Sequence, residues 1–273
     1  MSAAEPVTKP DPIAWEPLTP YGVAALARAS FARLLLVQLV VALLAAGVIT
    51  WFFYDSIFPV VQTAIQLLPD TGSIHSGRLD WPEPAPRLLA PGRVLALDVD
   101  PGHSGQINTA ADLQVEFGRS TVRLYSLLGY LEFGYPPDDI ISFNRTELQP
   151  LWGAWRIEIL FLIALASAIG LWLSWWLVAT LYLMPVWLLG FYTNRALNLR
   201  QSWRLAGAAL LPGALLLTLG ILLYDLGGLN LVQFSTVFIA HFLLAWIYLF
   251  VSLLFLPRTP VAPPKGNPFG SKK

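Results

Sequence analysis

Four long stretches of the chain are strongly apolar and free of charged residues. They cover residues 34–54, 159–192, 205–224 and 231–256. An α-helix needs about 20 apolar residues to cross the hydrocarbon layer of a bilayer, and each stretch is long enough. The pattern therefore predicts four transmembrane helices.

The second stretch is too long for one straight span and too short for two spans with a turn. Pro185 predicts the end of a spanning helix over about 157–181, because proline lacks the N–H that continues a helix. Residues 182–192 then form a kinked or interfacial piece, with Trp187 and Tyr192 at headgroup level. A re-entrant segment and a plain continuation of the helix are the alternatives.

The segment between the first two spans, residues 55–156, is more polar than the rest of the chain. Apolar residues at helical spacing predict a helix over 55–68. A short helix over 146–155 is predicted to lead into the second span, although Pro150 weakens it. Both helices are predicted to border a region of strands.

Alternating apolar and polar residues predict strands over 95–99, 113–117 and 121–127. Gly118-Arg119-Ser120 is typical of a three-residue hairpin loop between the last two. A short strand near 74–79 is a weaker prediction. The fold class expected is an α-helical integral membrane protein of four transmembrane helices, with a small α+β extracytoplasmic domain between helices 1 and 2.

The N-terminal region is predicted to contain a short helix before the first span. We expect Thr19 to be its N-cap and Pro20 its first residue, because threonine and proline are favoured at these two positions. The helix over 21–32 either lies at the membrane interface or extends the first span. The predicted segments are 1–19 (disordered tail), 20–54 (interfacial segment and helix 1), 55–156 (outer domain), 157–192 (helix 2), 193–204 (basic loop), 205–224 (helix 3), 225–230 (outer loop), 231–256 (helix 4) and 257–273 (disordered tail).

Charge placement predicts the orientation. With both termini inside, the inner segments 1–33, 193–204 and 257–273 hold most of the 17 Lys and Arg residues. These are Lys9, Arg28, Arg33, Arg195, Arg200, Arg204, Arg258, Lys265, Lys272 and Lys273. Most of the 17 Asp and Glu residues fall outside. Because positive residues are retained in the cytoplasm, both termini are expected there.

Composition narrows the function classes. Hydrophobic residues make up 56% of the 273 residues and charged residues 12%, with zero net charge and a mean hydropathy of +0.59. Soluble domains carry about 25% charged residues, so an ordinary soluble enzyme and a basic nucleic-acid binder are excluded. The chain contains no Cys, which excludes disulfides and thiolate chemistry.

Three polar residues in the predicted spans, Gln38, Gln233 and His241, are candidates for intramembrane contacts. Polar side chains inside a bilayer are costly unless paired, so a proton relay or a ligand contact is one interpretation of His241. A hydrogen bond between helices explains the same residue without a function. No set of intramembrane acids accompanies it.

Arg195, Arg200 and Arg204 lie together on the predicted inner loop, beside Trp203. Such residues bind anionic lipid headgroups or an acidic partner surface, or they set topology alone. In the outer region, Asp98, Asp100 and His103 have side chains that ligate metals. A turn closed by Asp100 and Gly102 explains the same residues better, so neither a metal nor a cofactor is predicted. No nucleophile–base pair is recognisable, which leaves catalysis uncertain and leaning towards absence.

Several short motifs resemble those of a known family. They are Pro17-Leu18-Thr19-Pro20-Tyr21, Ser76-Gly77-Arg78-Leu79, Leu97-Asp98-Val99-Asp100, Ala111-Asp112-Leu113, Gln201-Ser202-Trp203-Arg204-Leu205-Ala206 and Ala209-Leu210-Leu211-Pro212. With them the whole chain resembles an uncharacterised family of bacterial multi-pass inner-membrane proteins, some labelled as maltodextrin-utilisation proteins. The resemblance implies the fold and a bacterial inner-membrane location, and it implies no chemistry.

Two functions are expected from these features. The first is a non-enzymatic accessory or scaffold protein that binds another membrane or envelope protein, or a second copy of itself. The second is a transporter, or an accessory subunit of a permease, with a polar cavity at Gln38, Gln233 and His241 and a third helix broken at Pro212 and Gly213. Beyond the lipid bilayer and such partners, no nucleic acid is expected to bind.

Overall fold

The computed structural model of the chain describes residues 15–259. Four of its helices are long and apolar enough to cross a membrane: Phe31–Leu67, Arg145–Tyr192, Leu199–Asp225 and Leu231–Leu254. The prediction of four such helices is confirmed. The disordered tails predicted over 1–19 and 257–273 fall mostly on residues 1–14 and 260–273, outside the described residues.

The chain enters the first long helix through a separate short one. Helix α1 (Pro20–Arg28) begins with Thr19 as N-cap, whose hydroxyl accepts from the Gly22 N–H at 3.0 Å. Ala29 leaves the helical conformation, so α1 is not a plain extension of the next helix. Helix α2 (Phe31–Phe52) continues through a π-helical turn (Phe53–Ile57) into α3 (Phe58–Leu67). The helix predicted over 55–68 therefore follows the first span without a break.

The remaining helices are α4 (Arg145–Tyr192), α5 (Leu199–Asp225) and α6 (Leu231–Leu254). Helix α4 is continuous through Pro185, so residues 182–192 extend it and form no separate segment. The short helix predicted over 146–155 is its first part. Helix α5 begins earlier than predicted, at Leu199, and is continuous through Pro212 and Gly213.

Eight strands lie between α3 and α4. Strands β1 (Ser73–His75), β2 (Arg78–Asp80) and β8 (Ile141–Ser142) form a three-stranded sheet in the order β2-β1-β8. The weak strand near 74–79 is in fact a hairpin, because Ser76 and Gly77 adopt positive φ values of 49° and 70° and turn the chain.

The other five strands form one sheet in the order β3-β4-β5-β6-β7. They are β3 (Arg87–Ala90), β4 (Leu95–Val99), β5 (Leu113–Phe117), β6 (Thr121–Ser126) and β7 (Gly129–Gly134). The predicted strands β4, β5 and β6 and the predicted hairpin between β5 and β6 are confirmed. Strands β4 and β5 are parallel and are joined by the long segment 100–112. Strands β3, β7 and β8 were not predicted.

The described chain divides into two compact units. The helical unit consists of residues 15–45, 168–219 and 235–259, and its core contains Leu26, Leu34, Leu205, Leu211 and Leu253. The sheet unit consists of Ala46–Ser167 and Gly220–Phe234. Its core forms where Val60 and Ala64 of α3 pack against one face of the five-stranded sheet.

Candidate functional site

Strand β7 is an open edge of the five-stranded sheet. Its outer side pairs with no strand among residues 15–259, and all six of its residues are exposed. Tyr130, Leu131 and Phe133 have 58%, 60% and 56% of their surface exposed. We call these three residues the edge surface. Open edges are ready to pair with another chain, and proteins normally protect them with short strands, charges or proline.

The apolar face of the sheet is covered at β3, β4 and β5 and exposed at β7. Val115, Leu124 and Leu131 are register partners across β5, β6 and β7, so they lie on one face. Val115 packs against the buried core of the sheet unit, whereas Leu131 on the same face is exposed. An apolar surface therefore continues from the core to the open edge.

The opposite face of the same sheet carries buried polar side chains. Asp98 of β4 is register partner to Glu116 of β5, and Gln114 lies two residues before Glu116 on the same face. Asp98 has 0% of its surface exposed and Glu116 2%. The Gln114 amide donates to Asp98 Oδ1 at 2.9 Å and to the Ile107 carbonyl oxygen at 3.3 Å. Glu116 Oε1 contacts the His103 ring and accepts from the Tyr125 hydroxyl at 3.4 Å.

Within residues 15–259, Asp98 is a buried acid with hydrogen bonding to only one of its two carboxyl oxygens. Burial raises the pKa of Asp98 to about 6, against the opposing effect of the Gln114 hydrogen bond, and the neighbouring Glu116 and Asp100 raise it further. Its Oδ2 atom is buried without a hydrogen-bond partner among the described residues. A buried carboxylate with an unpaired oxygen is unfavourable when it is ionised. The Asp98 carboxylate therefore lowers the stability of the folded state at neutral pH.

Asp100 forms a turn, as the sequence indicates. Its Oδ1 accepts from the Gly102 N–H at 3.2 Å, and its Oδ2 accepts from the Ser104 hydroxyl at 2.7 Å and the Gly105 N–H at 3.2 Å. Burial raises the pKa of Asp100, but these hydrogen bonds outweigh burial and hold it below its ordinary value. Across residues 15–259, no group of three or more His, Asp or Glu side chains is arranged to hold a metal ion.

Gln38 is a buried link between three helices of the helical unit. Its Nε2 donates to the Gly207 carbonyl oxygen at 3.4 Å, and its Oε1 accepts from Trp176 Nε1 at 3.3 Å. The side chain has 0% of its surface exposed. Gln38 of α2 thus joins α4 and α5, with both ends of its amide in use.

The other two predicted intramembrane residues have local partners. The His241 Nδ1 contacts the carbonyl oxygen of Phe238 one turn earlier, and its ring packs at 3.8 Å from the Phe242 ring centroid. Gln233 caps α6, because its N–H donates to Asn230 Oδ1 at 2.9 Å while its Oε1 accepts from the Asn230 N–H at 3.0 Å. These contacts are structural and account for both side chains.

The three arginines predicted on one loop lie in two places: Arg195 follows the end of α4, and Arg200 and Arg204 belong to α5. Arg195 donates to the Leu256 carbonyl oxygen at 2.6 Å. Arg200 and Arg204 lie on the first turns of α5, and Arg204 donates to the Ala29 carbonyl oxygen at 2.7 Å. The two line a largely apolar pocket of about 520 Å³, whose other lining residues are Phe31, Leu183, Leu199 and Trp203. Lipid-headgroup binding therefore remains a prediction for Arg200 and Arg204 together.

Two clusters were missed by reading the sequence. Glu116 and Gln114 served only to predict the strand over 113–117, whereas residues of the segment 100–112 contact both side chains. Arg93 was also missed: its guanidinium donates to the carbonyl oxygens of Tyr224 at 2.5 Å and Asp225 at 3.0 Å, at the end of α5. A cation at a helix C-terminus is favoured by the helix dipole, but no local pattern connects residues so distant in sequence.

Comparison of the chain with protein-family models, curated proteins and solved structures gives no match. The family resemblance described above therefore stays a prediction.

Proposed function

We propose that the chain is a multi-pass protein of the bacterial inner membrane that binds another envelope protein through the open edge of its sheet unit. The single observation that carries the proposal is strand β7, an exposed and apolar edge in the part of the chain that we assign to the extracytoplasmic side. The activity proposed is binding, without chemistry.

The proposed orientation rests on charge and on helix length. Positive residues concentrate in segments 1–33, 193–204 and 257–273, which supports a cytoplasmic location for both termini. Helix α4 has 48 residues, or about 72 Å at ~1.5 Å per residue, against about 30 Å of hydrocarbon. It is therefore more than twice as long as one membrane span requires.

An added strand is the partner that suits the edge surface. β7 offers unpaired main-chain N–H and C=O groups along its outer side, and an extended segment of another protein can continue the sheet. Such a strand would bring side chains over Leu131 and Phe133, which continue the apolar face of the sheet. Main-chain pairing then supplies affinity and the two apolar residues supply specificity.

The contacts of the helical unit weigh against transport. Gln38 is hydrogen-bonded at both ends of its amide, and α5 is continuous where a transport site was expected to break it. Transport sites near the bilayer midplane are typically built from interrupted helices.

Photo-crosslinking in native membranes tests the proposal. A photoreactive amino acid at Leu131 or Phe133 is expected to give one discrete crosslinked species that contains a second, identifiable membrane or envelope protein. The same amino acid at Arg119, which is exposed on the β5–β6 turn, is the matched control and is expected to give none. Leu131→Lys combined with Phe133→Lys should abolish binding of that partner, because edge lysines block strand addition.

The folded state should survive the double lysine variant, since exposed substitutions usually change stability by less than about 0.5 kcal/mol. Its melting temperature in detergent checks this. Equal crosslinking from Arg119, partner binding that persists in the double variant, or a species that contains only a second copy of this chain would contradict the proposal.

A further inference from the structure

A cavity of about 430 Å³ opens on the polar face of the five-stranded sheet, the face opposite to the apolar one that ends at the edge surface. Its buried floor is formed by Gln114 and Glu116 of β5, and Tyr125 of β6 forms a wall. Its volume lies within the range of about 300–1,000 Å³ that is typical of small-molecule sites. The remaining lining residues are Gly105, Ile107, Asn108, Thr109, Ala111, Asp112, Ser126, Leu127 and Leu231.

The lining is acidic, and the basic side chains beside it, those of His103 and Arg123, lie outside it. Asp112 and Glu116 are acidic, and in the described part of the chain none of the lining residues is Lys or Arg. His103 contacts Glu116 but does not line the cavity. Behind the floor, Asp98 Oδ1 accepts from Gln114, while the buried Oδ2 of the same carboxyl has no partner among residues 15–259. Arg123, the register partner of Glu116, pairs with Glu132 at 3.1 Å, and Asp112 Oδ2 accepts from the Tyr224 hydroxyl at 2.5 Å. A cation in the cavity would therefore meet two acidic lining residues and no lysine or arginine of the lining.

The neutral lining residues indicate two properties of a ligand that would fit the cavity. Tyr125 is an aromatic lining residue, and aromatic rings attract cations more strongly where water is excluded. Ile107, Leu127 and Leu231 form an apolar part of the lining, which suits a ligand with an apolar portion next to its charged group. A small inorganic cation would leave this part unused.

We propose that this cavity binds the primary ammonium group of an amphiphilic ligand, with Glu116 and Asp112 facing the ammonium and Tyr125 beside it. Leu231 is the first residue of α6, one of the four helices able to span a membrane, and Leu127 lies at the tip of the β6–β7 hairpin. An ethanolamine lipid headgroup and a soluble amine share this chemistry, and the experiment separates them. The cavity shares no residue with the edge surface, although the ring centroids of Tyr125 and Tyr130 lie 5.7 Å apart. Leu131 and Phe133 lie on the opposite face of the sheet, so either proposal can fail alone.

The test measures ligand binding to the full chain, purified in detergent, by isothermal titration calorimetry. The probes are dihexanoyl phosphatidylethanolamine, dihexanoyl phosphatidylglycerol and glycerophosphoethanolamine. The ethanolamine lipid is expected to saturate one site, and the glycerol lipid, which has no ammonium, is expected not to. Comparable affinity for glycerophosphoethanolamine, which lacks acyl chains, identifies a soluble amine as the source, whereas much weaker affinity identifies the lipid.

Two neighbouring leucines provide a matched pair of variants. Leu127→Lys places an ammonium at the cavity and should weaken the binding of the ethanolamine probe about tenfold. Leu128→Lys adds the same charge at a residue that is 97% exposed and does not line the cavity, so affinity should stay unchanged. Glu116→Gln should weaken binding as well, provided that its melting temperature shows a folded protein. Equal affinity for the two lipids, or equal effects of the two lysine variants, would overturn the proposal.

Discussion

Gly213→Ala is expected to destabilise the chain by about 3 kcal/mol, the cost of forcing extra atoms into a packed interior. A Cβ atom at Gly213 of α5 would overlap the main-chain carbonyl oxygen of His241 in α6. A backbone atom cannot move aside as a flexible side chain does, so the two helices must separate. Pro212, immediately before Gly213, already removes one main-chain hydrogen-bond donor from α5, which leaves it less able to absorb the strain.

The matched control for Gly213→Ala is Gly170→Ala in α4. A Cβ atom at Gly170 meets no atom within 4 Å in the described part of the chain. The same substitution there should raise stability by up to about 1 kcal/mol, since alanine is the better helix former. Thermal unfolding in detergent, followed by tryptophan fluorescence, should show changes of opposite sign in the two variants. A melting temperature of Gly213→Ala at or above that of the parent would contradict the close approach of α5 and α6.

Asp98→Asn is expected to stabilise the chain at neutral pH. Burial holds the pKa of Asp98 at about 6 in the folded state, against about 3.9 in an unfolded chain. The folded state thus binds the proton of Asp98 more tightly, so the contribution of Asp98 to the free energy of unfolding is most favourable below about pH 4 and falls as pH rises through about 6. Between low pH and pH 7, the contribution of Asp98 to the free energy of unfolding falls by about 3 kcal/mol, and it stays at the lower value above pH 7.

Melting temperatures of the parent and of Asp98→Asn, measured from pH 4 to pH 8, check this expectation. The two curves should converge near pH 4 and diverge as pH rises, with the variant the more stable at pH 7.5. Asp138→Asn removes the same charge from an exposed residue and should follow the parent throughout. A constant offset between the Asp98→Asn and parent curves would show that Asp98 does not titrate between pH 4 and pH 6.

The elements that the sequence predicted are those with strong local signals. Long apolar stretches indicate helices of membrane-spanning length, and alternation indicates β4, β5 and β6. Strand β7 has a similar alternation of Tyr130, Leu131, Glu132 and Phe133, but it lies between Gly129 and Gly134 and was not predicted. The two glycines disfavour strand structure and leave an alternating run of only four residues, at the lower limit for predicting a strand.

The candidate sites depend on contacts between residues that are far apart in the sequence, and no local sequence pattern predicts such contacts. The buried face with Asp98, Gln114 and Glu116 exists because β4 and β5 pair in parallel across the segment 100–112. In the helical unit, the partners of Gln38 come from α4 and α5, more than a hundred residues away along the chain. Sequence reasoning identified Gln38 as costly if unpaired, and packing determined which groups pair with it.

We propose that the sheet unit lies outside the cytoplasm, on the side of the membrane opposite to the α4–α5 connection. The chain contains no Cys, so single-cysteine variants report on one position each. In intact spheroplasts, a membrane-impermeant maleimide should label Leu128→Cys, at the exposed β6–β7 tip, and should label Thr193→Cys, after the end of α4, only once the membrane is lysed. Labelling of Thr193→Cys in intact spheroplasts, or protection of Leu128→Cys until lysis, would contradict the proposed orientation.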